Sequence, residues 1–457
     1  MPGRFFPGGW RLSPPAGDEG GLSGESVLDG LRELARSRGS RTALRRGADA
    51  LTYAGLEREV EARAARLDRR PGWIGLDAAD PVAFLIDFFA SRLLARGAIA
   101  HGAQIPSLLR ERRESLLARW RPAEGLAKTV FFSSGSVGDG KPIPLGDREL
   151  LGAARGYPHP PEIEPSDNVA VGASVAHVFG FVRGALHPLS IGAEVIFFTP
   201  RRDPLAEAEA LGSTVVLLAG PHVALSARQT RKVQLKAVFS GGGSLSEDSV
   251  SAVERRGTPV RLGYGLTESA GLGSRQRLAL ARRPGTSGRP AAALAVAIVA
   301  PDSEADLPAG RTGEIRLSGP SVFDGYAGEA APIPFDRRGR LATGDLGFID
   351  DAGELVVRGR REFCIVMQGR TVCAEEIEDA IGEHPGVSEV AVSPHGDSFA
   401  VVFVPREGAA SLDAEIRTFL QKRLPAFARP RRVLAVEALP RNSSGKLDRQ
   451  IVSSWLV

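Results

Sequence analysis

The sequence predicts an α/β protein with a large N-terminal domain of layered α/β sheets and a small, mobile α+β C-terminal domain. Apolar runs of strand length alternate with helical stretches over the first half of the chain, which is typical of layered α/β folds. After Gly285 the pattern changes to short strands and turns, which indicates a β-rich subdomain. From Arg361 a compact pattern of strands and helices follows, long enough for a separate domain. We therefore expect domains at 1–360, with the subdomain at about 285–360, and at 361–457.

The predicted strands of the first part of the chain fall into two series. The first series alternates with helices at 56–67 and 81–94, and its strands lie at 73–76, 130–132, 169–171 and 195–198. The strands of the second series each end in glycine or polar turn residues and lie at 215–218, 237–240 and 260–264. Because parallel strands place their ligand loops at these carboxyl ends, we expect functional residues directly after them.

The β-rich subdomain and the C-terminal domain contain the remaining predicted elements. The subdomain strands lie at 294–299, 313–317 and 354–357. The C-terminal domain is predicted to begin and end with a strand, and between these it has a helix at 374–381, strands at 387–392 and 400–404, and a helix at 412–422.

The composition favours a globular, cytoplasmic protein. The chain has 457 residues, of which 43% are hydrophobic, so it can bury a sizeable core. No apolar run approaches the roughly 18 residues that a membrane helix needs, so we expect no membrane span. Residues 1–15 lack the basic and apolar regions of a secretion signal. Cys364 and Cys373 are too few for a disulfide scaffold, and we expect them to be reduced thiols.

The charge pattern disfavours a nucleic-acid partner. The formal net charge is +4, but acidic and basic residues are interspersed along most of the chain. The densest arginine cluster, at 110–121, has leucines at helical spacing and indicates a solvated helix face. Only six of the 58 basic residues are lysines. A lysine kept within a motif, such as Lys141 or Lys446, therefore indicates a need for a compact point charge that arginine does not reproduce.

The segment 129–145 has the composition of a phosphate-binding loop. An apolar strand is followed by hydroxyl residues, glycines and Lys141, so backbone N–H groups, hydroxyls and an ammonium group can all meet phosphate oxygens. Residues 135–141 also fit the Walker A spacing. A Walker loop requires serine or threonine next and a helix that starts at the lysine, whereas this chain has Pro142 and Pro144. The two prolines predict an extended segment and disfavour a Walker-type NTPase.

This loop resembles the phosphate-binding loop of the adenylate-forming superfamily, which includes acyl-CoA synthetases, adenylation domains of peptide synthetases and luciferases. Gly140 and Pro142 replace the usual proline and glycine of that loop. The resemblance covers nearly the whole chain, because further family motifs follow in family order at 176–181, 240–244, 263–268, 343–345, 359–378 and 440–449. In the motif at 359–378, Glu362, Phe363 and Val366 replace the usual hinge aspartate, second aspartate and lysine.

The resemblance implies a role for individual residues of each motif. The residues that bind the phosphates of ATP are Ser133, Ser134, Gly135, Ser136, Gly138 and Lys141. The residues that bind adenine and ribose are Gly242, Gly243, Ser244, Tyr264, Asp345 and Arg360. The acyl pocket is lined by His177, Phe179 and Gly265. The catalytic residues are Lys446, Thr267 and Glu268, the last of which also binds the metal, and the hinge residue is Glu362.

The chemistry of several side chains suits these roles. A tyrosine ring such as that of Tyr264 can flank adenine, and the hydroxyl of Thr267 can bond a phosphate. The carboxylate of Glu268 is a suitable hard ligand for Mg²⁺. The two acceptor oxygens of Asp345 suit the two hydroxyls of a ribose. The three consecutive glycines at 241–243 permit a close approach of the backbone to adenine.

The resemblance implies a ligase that uses ATP and Mg²⁺ to convert a carboxylic acid into an acyl-adenylate, releases pyrophosphate and transfers the acyl group to coenzyme A. An acyl carrier protein, with its phosphopantetheine thiol, is the alternative acceptor. The sequence also leaves open a Walker-type NTPase and a degenerate nucleotide-binding protein. Because segment 175–186 has no aspartate to hold an ammonium group, a fatty or aryl acid is favoured over an amino acid. We expect a monomer or a homodimer.

Overall fold

The computed structural model describes residues 26–67, 72–118, 120, 127–133, 140–156, 162–243, 245–301, 303–328, 334–367, 370–382, 384–396, 398–406, 413–424, 426–441 and 447–455. The predicted site residues that lie outside these ranges are Ser134, Gly135, Ser136, Gly138, Ser244 and Lys446. Within these ranges, no helix combines the length and the hydropathy needed to cross a membrane.

The strands of the first part of the chain form two mixed sheets. They are β1 (Thr42–Arg46), β2 (Asp49–Thr52), β3 (Ile74–Asp77), β4 (Ala98–His101), β5 (Thr129–Phe132), β6 (Pro142–Leu145), β7 (Asn168–Val171), β8 (Glu194–Phe197), β9 (Val215–Ala219), β10 (Ala237–Gly241), β11 (Val260–Gly265), β12 (Gly273–Arg275) and β13 (Arg289–Pro290). The larger sheet has the order β13-β12-β11-β10-β9-β7-β8-β1-β2, and the smaller sheet has the order β3-β4-β5-β6. Strands β7 to β11 of the larger sheet are parallel, so their carboxyl ends meet at one edge.

Helices connect most of these strands, and local sequence signals fix where several of them begin. They are α1 (Val27–Arg38), α2 (Tyr53–Leu67), α3 (Pro81–Leu93), α4 (Ser107–Leu117), α5 (Asp147–Arg155), α6 (His187–Ser190), α7 (Pro204–Ala210), α8 (Gly220–Ala227) and α9 (Glu247–Arg255), with a π-helix at Phe179–Leu186 and a 3₁₀ turn at Thr267–Ser269. Side chains of Ser26, Asp80, Asp203 and Ser246 accept bonds from backbone N–H groups in the first turns of α1, α3, α7 and α9. Much of α4 is exposed, which agrees with the solvated arginine-rich helix predicted there.

A third sheet, with four antiparallel strands, follows in the β-rich part of the chain. Its strands, in the spatial order in which they pair, are β14 (Ala295–Val299), β15 (Gly313–Ser318), β16 (Leu341–Ile349) and β17 (Leu355–Arg360). Strands β16 and β17 form a hairpin that already includes Asp345, because β16 contains this residue and pairs it with Arg360.

The last part of the chain folds around a hydrophobic cluster of its own. Its elements are β18 (Cys364–Met367), β19 (Arg370–Cys373), α10 (Ala374–Gly382), β20 (Val387–His395), β21 (Ser398–Pro405), α11 (Asp413–Arg423), β22 (Arg432–Ala435) and α12 (Arg449–Ser454). Apolar residues of these elements, such as Ile377, Phe403 and Leu420, pack together in that cluster. The predicted helices at 374–381 and 412–422 and the predicted strands at 387–392 and 400–404 are confirmed as α10, α11, β20 and β21. The single strand predicted at the start is instead the hairpin β18–β19, and the strand predicted to end the domain, β22, is followed by the helix α12. Together with the α/β sheets before it, this part confirms the predicted fold class.

Cys364 and Cys373 form a disulfide bond, which corrects the expectation of reduced thiols. The two residues lie directly opposite each other at the open end of the β18–β19 hairpin. Antiparallel pairing therefore brings them together although nine positions separate them in the sequence. The sequence pattern did not reveal this hairpin, so it gave no signal for the bond.

A buried ion pair ties the end of α9 to the start of α7. Nη1 and Nη2 of Arg256 lie 3.0 Å and 2.7 Å from the two carboxylate oxygens of Asp203, and Nη1 also donates to the carbonyl oxygen of Ser226 at 2.8 Å. The side chain of Arg256 is only 2% exposed. Removing the guanidinium would leave the carboxylate and this carbonyl oxygen without these bonds in the protein interior.

We expect Arg256→Met to lower the free energy of unfolding by about 3–5 kcal/mol, because it breaks a buried charge pair from one side. Arg231→Met is the matched control, since Arg231 pairs with Glu209 at 2.8 Å but its side chain is 60% exposed. That change should cost only about 0–1 kcal/mol. Urea denaturation followed by circular dichroism measures both effects, and equal losses for the two variants would contradict the prediction.

Candidate active site

The two described ends of the predicted phosphate loop are held together by backbone pairing. Strands β5 and β6 are antiparallel, with Phe132 opposite Pro142. Just beyond this pair, the backbone N–H of Ser133 donates to the carbonyl oxygen of Lys141, and the N–H of Lys141 donates to Oγ of Ser133, both at 3.0 Å. A strand, not a helix, therefore follows Lys141. This confirms the extended segment predicted from Pro142 and Pro144 and removes the structural basis for a Walker-type site.

Gly140 occupies the position at which the family loop has proline, and its local geometry requires glycine. Its φ angle is +73°, in the region that favours glycine. A Cβ atom at this position would lie 2.3 Å from the carbonyl oxygen of Ser133. The hairpin end can therefore close tightly only with glycine here, and this departure from the family pattern is explained by the fold.

Lys141, Tyr326 and Glu268 converge from three separate segments of the chain. The ammonium group of Lys141 lies 5.0 Å from the ring centroid of Tyr326, within the range of a cation–π contact. The hydroxyl of Tyr326 donates to Oε1 of Glu268 at 2.9 Å. Tyr326 is not among the site residues predicted from the sequence, although tyrosine is scarce in this chain, with four in total. The contacts place it between the predicted phosphate-binding lysine and the predicted metal ligand.

A tight turn after β11 presents Thr267 and Glu268. A Cβ atom on Gly265 would lie 2.2 Å from the carbonyl oxygen of Gly271, so only glycine allows the two backbone segments to approach this closely. The 3₁₀ turn Thr267–Ser269 follows, and the hydroxyl of Ser269 donates to the carbonyl oxygen of Leu272 at 2.5 Å. Both predicted catalytic residues of this motif therefore lie at the carboxyl end of a strand in the parallel part of the sheet.

Asp345 contacts one residue of the larger sheet and one residue of its own sheet. The hydroxyl of Tyr264, on β11, donates to Oδ2 of Asp345 at 2.7 Å, and Nε of Arg360 lies 3.1 Å from Oδ1. Burial raises the pKa of the Asp345 carboxyl, and the negative charge of Glu268 adds to this rise. The positive charge of Arg360 and the hydrogen bond from Tyr264 lower the pKa and offset only part of the rise. Burial and the charge of Asp345 raise the pKa of Tyr264, so its hydroxyl remains a donor.

The contacts of Glu268 and those of Asp345 belong to one site. Although burial lowers the pKa of Arg360, the negative charges of Asp345, Glu268 and Glu362, together with Tyr264, raise it overall. The predicted metal ligand, ribose ligand and hinge residue are therefore all close enough to act on one guanidinium group. The fold brings these residues together although they lie far apart in the sequence.

The ring of Phe179, which is predicted to line the acyl pocket, lies against the loop that is predicted to bind adenine. Its ring lies 3.5 Å from the position that a Cβ atom on Gly241 would occupy. Among the described residues, no heavy atom lies within 4 Å of the corresponding Cβ positions of Gly242 and Gly243. His177 is exposed just before the π-helix. The acyl and adenine residues predicted from separate motifs therefore border the same edge of the sheet.

The two remaining predicted residues belong to the last part of the chain. Glu362 is exposed in the 3₁₀ turn Arg361–Phe363, directly after Arg360 and the end of β17. Lys446 lies outside the described residues, so the structure does not place it relative to the site. Arg441 and Leu447, the described residues on either side of segment 442–446, form an isolated antiparallel bridge.

The arrangement as a whole suits a nucleotide with its metal ion. The ammonium group of Lys141 and the hydroxyl of Tyr326 lie beside the carboxylate of Glu268. The carboxylate of Asp345 contacts the hydroxyl of Tyr264 and the guanidinium group of Arg360. These groups match the phosphate, metal, ribose and base portions of a nucleoside triphosphate. None of them is a nucleophile activated by an adjacent base, so the site suits chemistry in which the bound molecules react with each other.

Two protein-family models match the chain in order. The model of the AMP-binding enzyme matches residues 111–327, and the model of the AMP-binding enzyme C-terminal domain matches residues 376–446. These ranges contain Lys141, Glu268 and Lys446.

The curated relatives that match are named as coenzyme A ligases. "4-coumarate--CoA ligase-like 4" from Oryza sativa subsp. japonica is 31% identical over 340 residues, which are 70% of this chain and 62% of the relative. "Probable CoA ligase CCL5" from Humulus lupulus is 29% identical over 342 residues, with the same shares covered. The matched region thus spans about three-fifths of the length of these relatives.

The solved structures that match support the same fold. "O-succinylbenzoate Coenzyme A Synthetase (MenE) from Bacillus Subtilis, in Complex with ATP and Magnesium Ion" has a TM-score of 0.82 at 20% identity. The alignment covers 93% of this chain and 99% of that one. With the two family models in order and the described residues Lys141, Glu268 and Asp345 close together, the chain belongs to the AMP-binding enzyme family, within the adenylate-forming superfamily that its motifs resemble.

Proposed function

We propose that this protein uses ATP to convert a carboxylic acid into an acyl-adenylate, with release of pyrophosphate, and then transfers the acyl group to the thiol of coenzyme A. The observation that carries the proposal is the convergence of Lys141, Glu268 and Asp345 from three separate elements into one site. The names of the curated relatives as coenzyme A ligases support the choice of acceptor.

The nucleotide would be held where the segments that carry Lys141, Glu268 and Asp345 meet. Asp345 offers two carboxylate oxygens to the ribose hydroxyls, and Arg360 opposes the rise in the pKa of that carboxyl that burial causes. The ring of Tyr264 flanks the adenine, and the glycines after β10 allow the backbone to approach it. The hydroxyl of Thr267 and the ammonium group of Lys141 bind phosphate oxygens.

The donor set at Glu268 fits a magnesium ion. Carboxylate oxygen is a hard ligand of the kind that Mg²⁺ prefers, and Mg²⁺ is usually held by one or two carboxylates together with substrate phosphates. The proximity of Glu268 to Lys141, through Tyr326, places it beside the predicted phosphate loop. A magnesium ion bound there would neutralise charge on the phosphates.

In the proposed first half-reaction, a carboxylate oxygen of the acid attacks the α-phosphorus of ATP in line with the bond to pyrophosphate. The new oxygen–phosphorus bond forms as the bond to pyrophosphate breaks, and no protein nucleophile takes part. The protein would contribute orientation and charge stabilisation. Lys446 would supply positive charge at the oxygens between the acid and the α-phosphate.

In the proposed second half-reaction, the thiol sulfur attacks the acyl carbon, AMP leaves with the former carboxylate oxygen, and the thiol proton passes to solvent. We propose that the C-terminal domain, beginning at residue 361, rotates about Glu362 between the two steps. The backbone N–H of Arg360 meets Glu375 on α10 at 3.5 Å, and Arg358 pairs with Glu376. These few contacts across the hinge would break and re-form during rotation.

The acid is proposed to have an apolar, fatty or aryl body. The half-buried ring of Phe179 supplies an apolar wall beside the nucleotide loop. An amino acid would need a carboxylate for its ammonium group. Glu162, a buried carboxylate in this region, pairs with two arginines, Arg183 and Arg275, and so does not suit that purpose.

The proposal is tested by measuring exchange of labelled pyrophosphate into ATP with a broad panel of carboxylic acids. We expect exchange that depends on one class of acid, followed by thioester formation when coenzyme A is added. A phosphopantetheinylated acyl carrier protein serves as the competing acceptor, and faster transfer to it would change the proposed acceptor. No exchange with any acid would overturn the proposed function.

We expect Asp345→Asn to raise the KM for ATP with little change in fold, because Tyr264 can still donate to the amide oxygen. A charge-assisted hydrogen bond contributes about 1.5–3 kcal/mol, which corresponds to a rise of about 10- to 100-fold. Asp351→Asn is the control, since Asp351 is an exposed aspartate in the turn of the same hairpin. Steady-state kinetics measure both variants, and an unchanged KM in Asp345→Asn would contradict the ribose assignment.

Glu268→Gln should weaken the use of Mg²⁺ while leaving the fold intact. The amide oxygen can still accept the bond from Tyr326, but glutamine lacks the negative charge that favours a divalent cation. A titration of activity against magnesium concentration should therefore shift to higher concentration. A variant that keeps the wild-type magnesium dependence would show that the metal ligand lies elsewhere.

Lys446→Ala should slow adenylate formation by about 10²–10³-fold, as expected when a preorganised charge is removed from a developing transition state. It should nearly spare thioester formation from a chemically prepared acyl-adenylate, because rotation would carry the lysine away. Lys446→Arg should restore little, since the planar guanidinium differs from an ammonium group in reach and geometry. Lys422→Ala, an exposed lysine on α11, is the control and should affect neither step. Equal damage to both half-reactions in Lys446→Ala would argue against rotation.

A further inference from the structure

The segment that carries Tyr326 is attached to both β6 and α5. The backbone N–H of Ala327 donates to the carbonyl oxygen of Pro142, the first residue of β6, at 3.0 Å. Nη2 of Arg148, in the first turn of α5, donates to Oδ1 of Asp324 at 2.6 Å. Tyr326 lies between these two attachment points in the sequence, so its backbone is fixed next to the start of β6.

The same segment is attached to Glu268 through its backbone and through a side chain. The backbone N–H of Phe323 donates to the carbonyl oxygen of Glu268, and the hydroxyl of Tyr326 donates to Oε1 of Glu268, both at 2.9 Å. Phe323 is buried, and its ring meets the ring of Tyr326 edge-on, with 5.0 Å between the two centroids. A buried neighbour thus fixes the ring of Tyr326, and the carboxylate fixes the direction of its hydroxyl.

Lys141 contacts the ring of Tyr326 and not the carboxylate that the hydroxyl binds. Its ammonium nitrogen lies over the ring, 5.0 Å from the centroid. In the described part of the chain, no direct ion pair joins Lys141 to Glu268. Two opposite charges therefore contact the same tyrosine through different atoms, one through the ring and the other through the hydroxyl.

A direct ion pair between Lys141 and Glu268 would disable both groups. The flexible four-carbon stem of lysine allows its charge to move towards a partner, and opposite charges attract more strongly in a partly buried site than in water. Such a pair would occupy the proposed metal ligand and the proposed phosphate-binding charge at the same time. The contacts with Tyr326 give each charge another partner, so they oppose this pairing.

We propose that Tyr326 is a positioning residue that keeps Lys141 and Glu268 apart. Its ring holds the ammonium group where phosphate can displace it, and its hydroxyl engages Oε1 of Glu268 and leaves Oε2 for Mg²⁺. This inference rests on the proposed function and deepens it, because it assigns the order of the metal and phosphate ligands to a third side chain. Tyr326 acts through these two ligands and does not itself react.

The test measures nucleotide binding, so it does not require the acid to be known. Isothermal titration calorimetry uses the full-length protein and α,β-methylene-ATP, which cannot release pyrophosphate. The affinity is measured over a range of Mg²⁺ concentrations and also in EDTA. These two conditions separate the contribution of the metal ligand from that of the phosphate-binding charge.

Tyr326→Phe keeps the ring and removes the hydroxyl. We expect the Mg²⁺ concentration for half-maximal binding to rise about 10-fold, because Glu268 loses a hydrogen bond to its charged group. The affinity in EDTA should stay unchanged, since the ring still holds Lys141. Tyr53→Phe is the matched control: the hydroxyl of Tyr53, on α2, also donates a buried hydrogen bond, to the carbonyl oxygen of Ala193 at 2.8 Å. The control should keep the wild-type Mg²⁺ dependence.

Tyr326→Leu removes the ring as well and allows Lys141 to pair with Glu268. We expect the affinity in EDTA to fall about 5-fold, because the lysine must leave that pair to bind phosphate. In a Glu268→Gln background the same change should have little effect on the affinity in EDTA, since glutamine carries no charge to attract the lysine. A purely structural role of the tyrosine would give equal losses in both backgrounds.

The outcomes separate this inference from the proposed function. A wild-type Mg²⁺ dependence in Tyr326→Phe, or equal losses for Tyr326→Leu in both backgrounds, would overturn the role of Tyr326 and leave acid activation standing. The expected binding results without exchange of pyrophosphate for any acid would support the role of Tyr326 and overturn acid activation. No binding of the nucleotide analogue to the wild-type protein would overturn both.

Discussion

The buried carboxylate of Asp345 is the group on which the assembled site depends. The bond that it accepts from Tyr264 links the β-rich part of the chain to the larger sheet, and its pair with Arg360 lies within the β-rich part, at the end of β17. Burial alone would favour its neutral form, and the adjacent guanidinium opposes that effect. The contact with Arg360 therefore also brings the proposed ribose-binding carboxylate close to Glu362, the proposed hinge residue.

The predicted phosphate loop between β5 and β6 shows how two residues decide between unrelated nucleotide-binding folds. The glycine and lysine spacing at 135–141 is compatible with a Walker loop, but Pro142 and Pro144 prevent a helix from continuing after Lys141. The chain instead returns as β6 alongside β5, and Gly140 allows the hairpin end to close. The lysine thereby points towards Tyr326 and Glu268 rather than towards a helix N-terminus.

The described part of the proposed acyl site is apolar. Phe179 and glycine backbone form this part, which suits an apolar body. The sequence favoured a fatty or aryl acid because it lacked an aspartate near His177. The buried carboxylate of Glu162 already pairs with Arg183 and Arg275, so it does not suit an ammonium group.

The sequence by itself determined the fold class, the main strands and helices, the extended segment after Lys141, and the motif residues Glu268, Asp345 and Arg360. Those features depend on local periodicity, on proline and on motifs whose residues are close in the chain. Only the tertiary structure decided which distant residues meet: Tyr326 with Glu268, Glu162 with Arg183 and Arg275, and Cys364 with Cys373. It also paired Asp345 with Arg360 across β16 and β17. Such contacts arise from strand pairing and helix–sheet packing between separate segments, and local patterns carry no information about them.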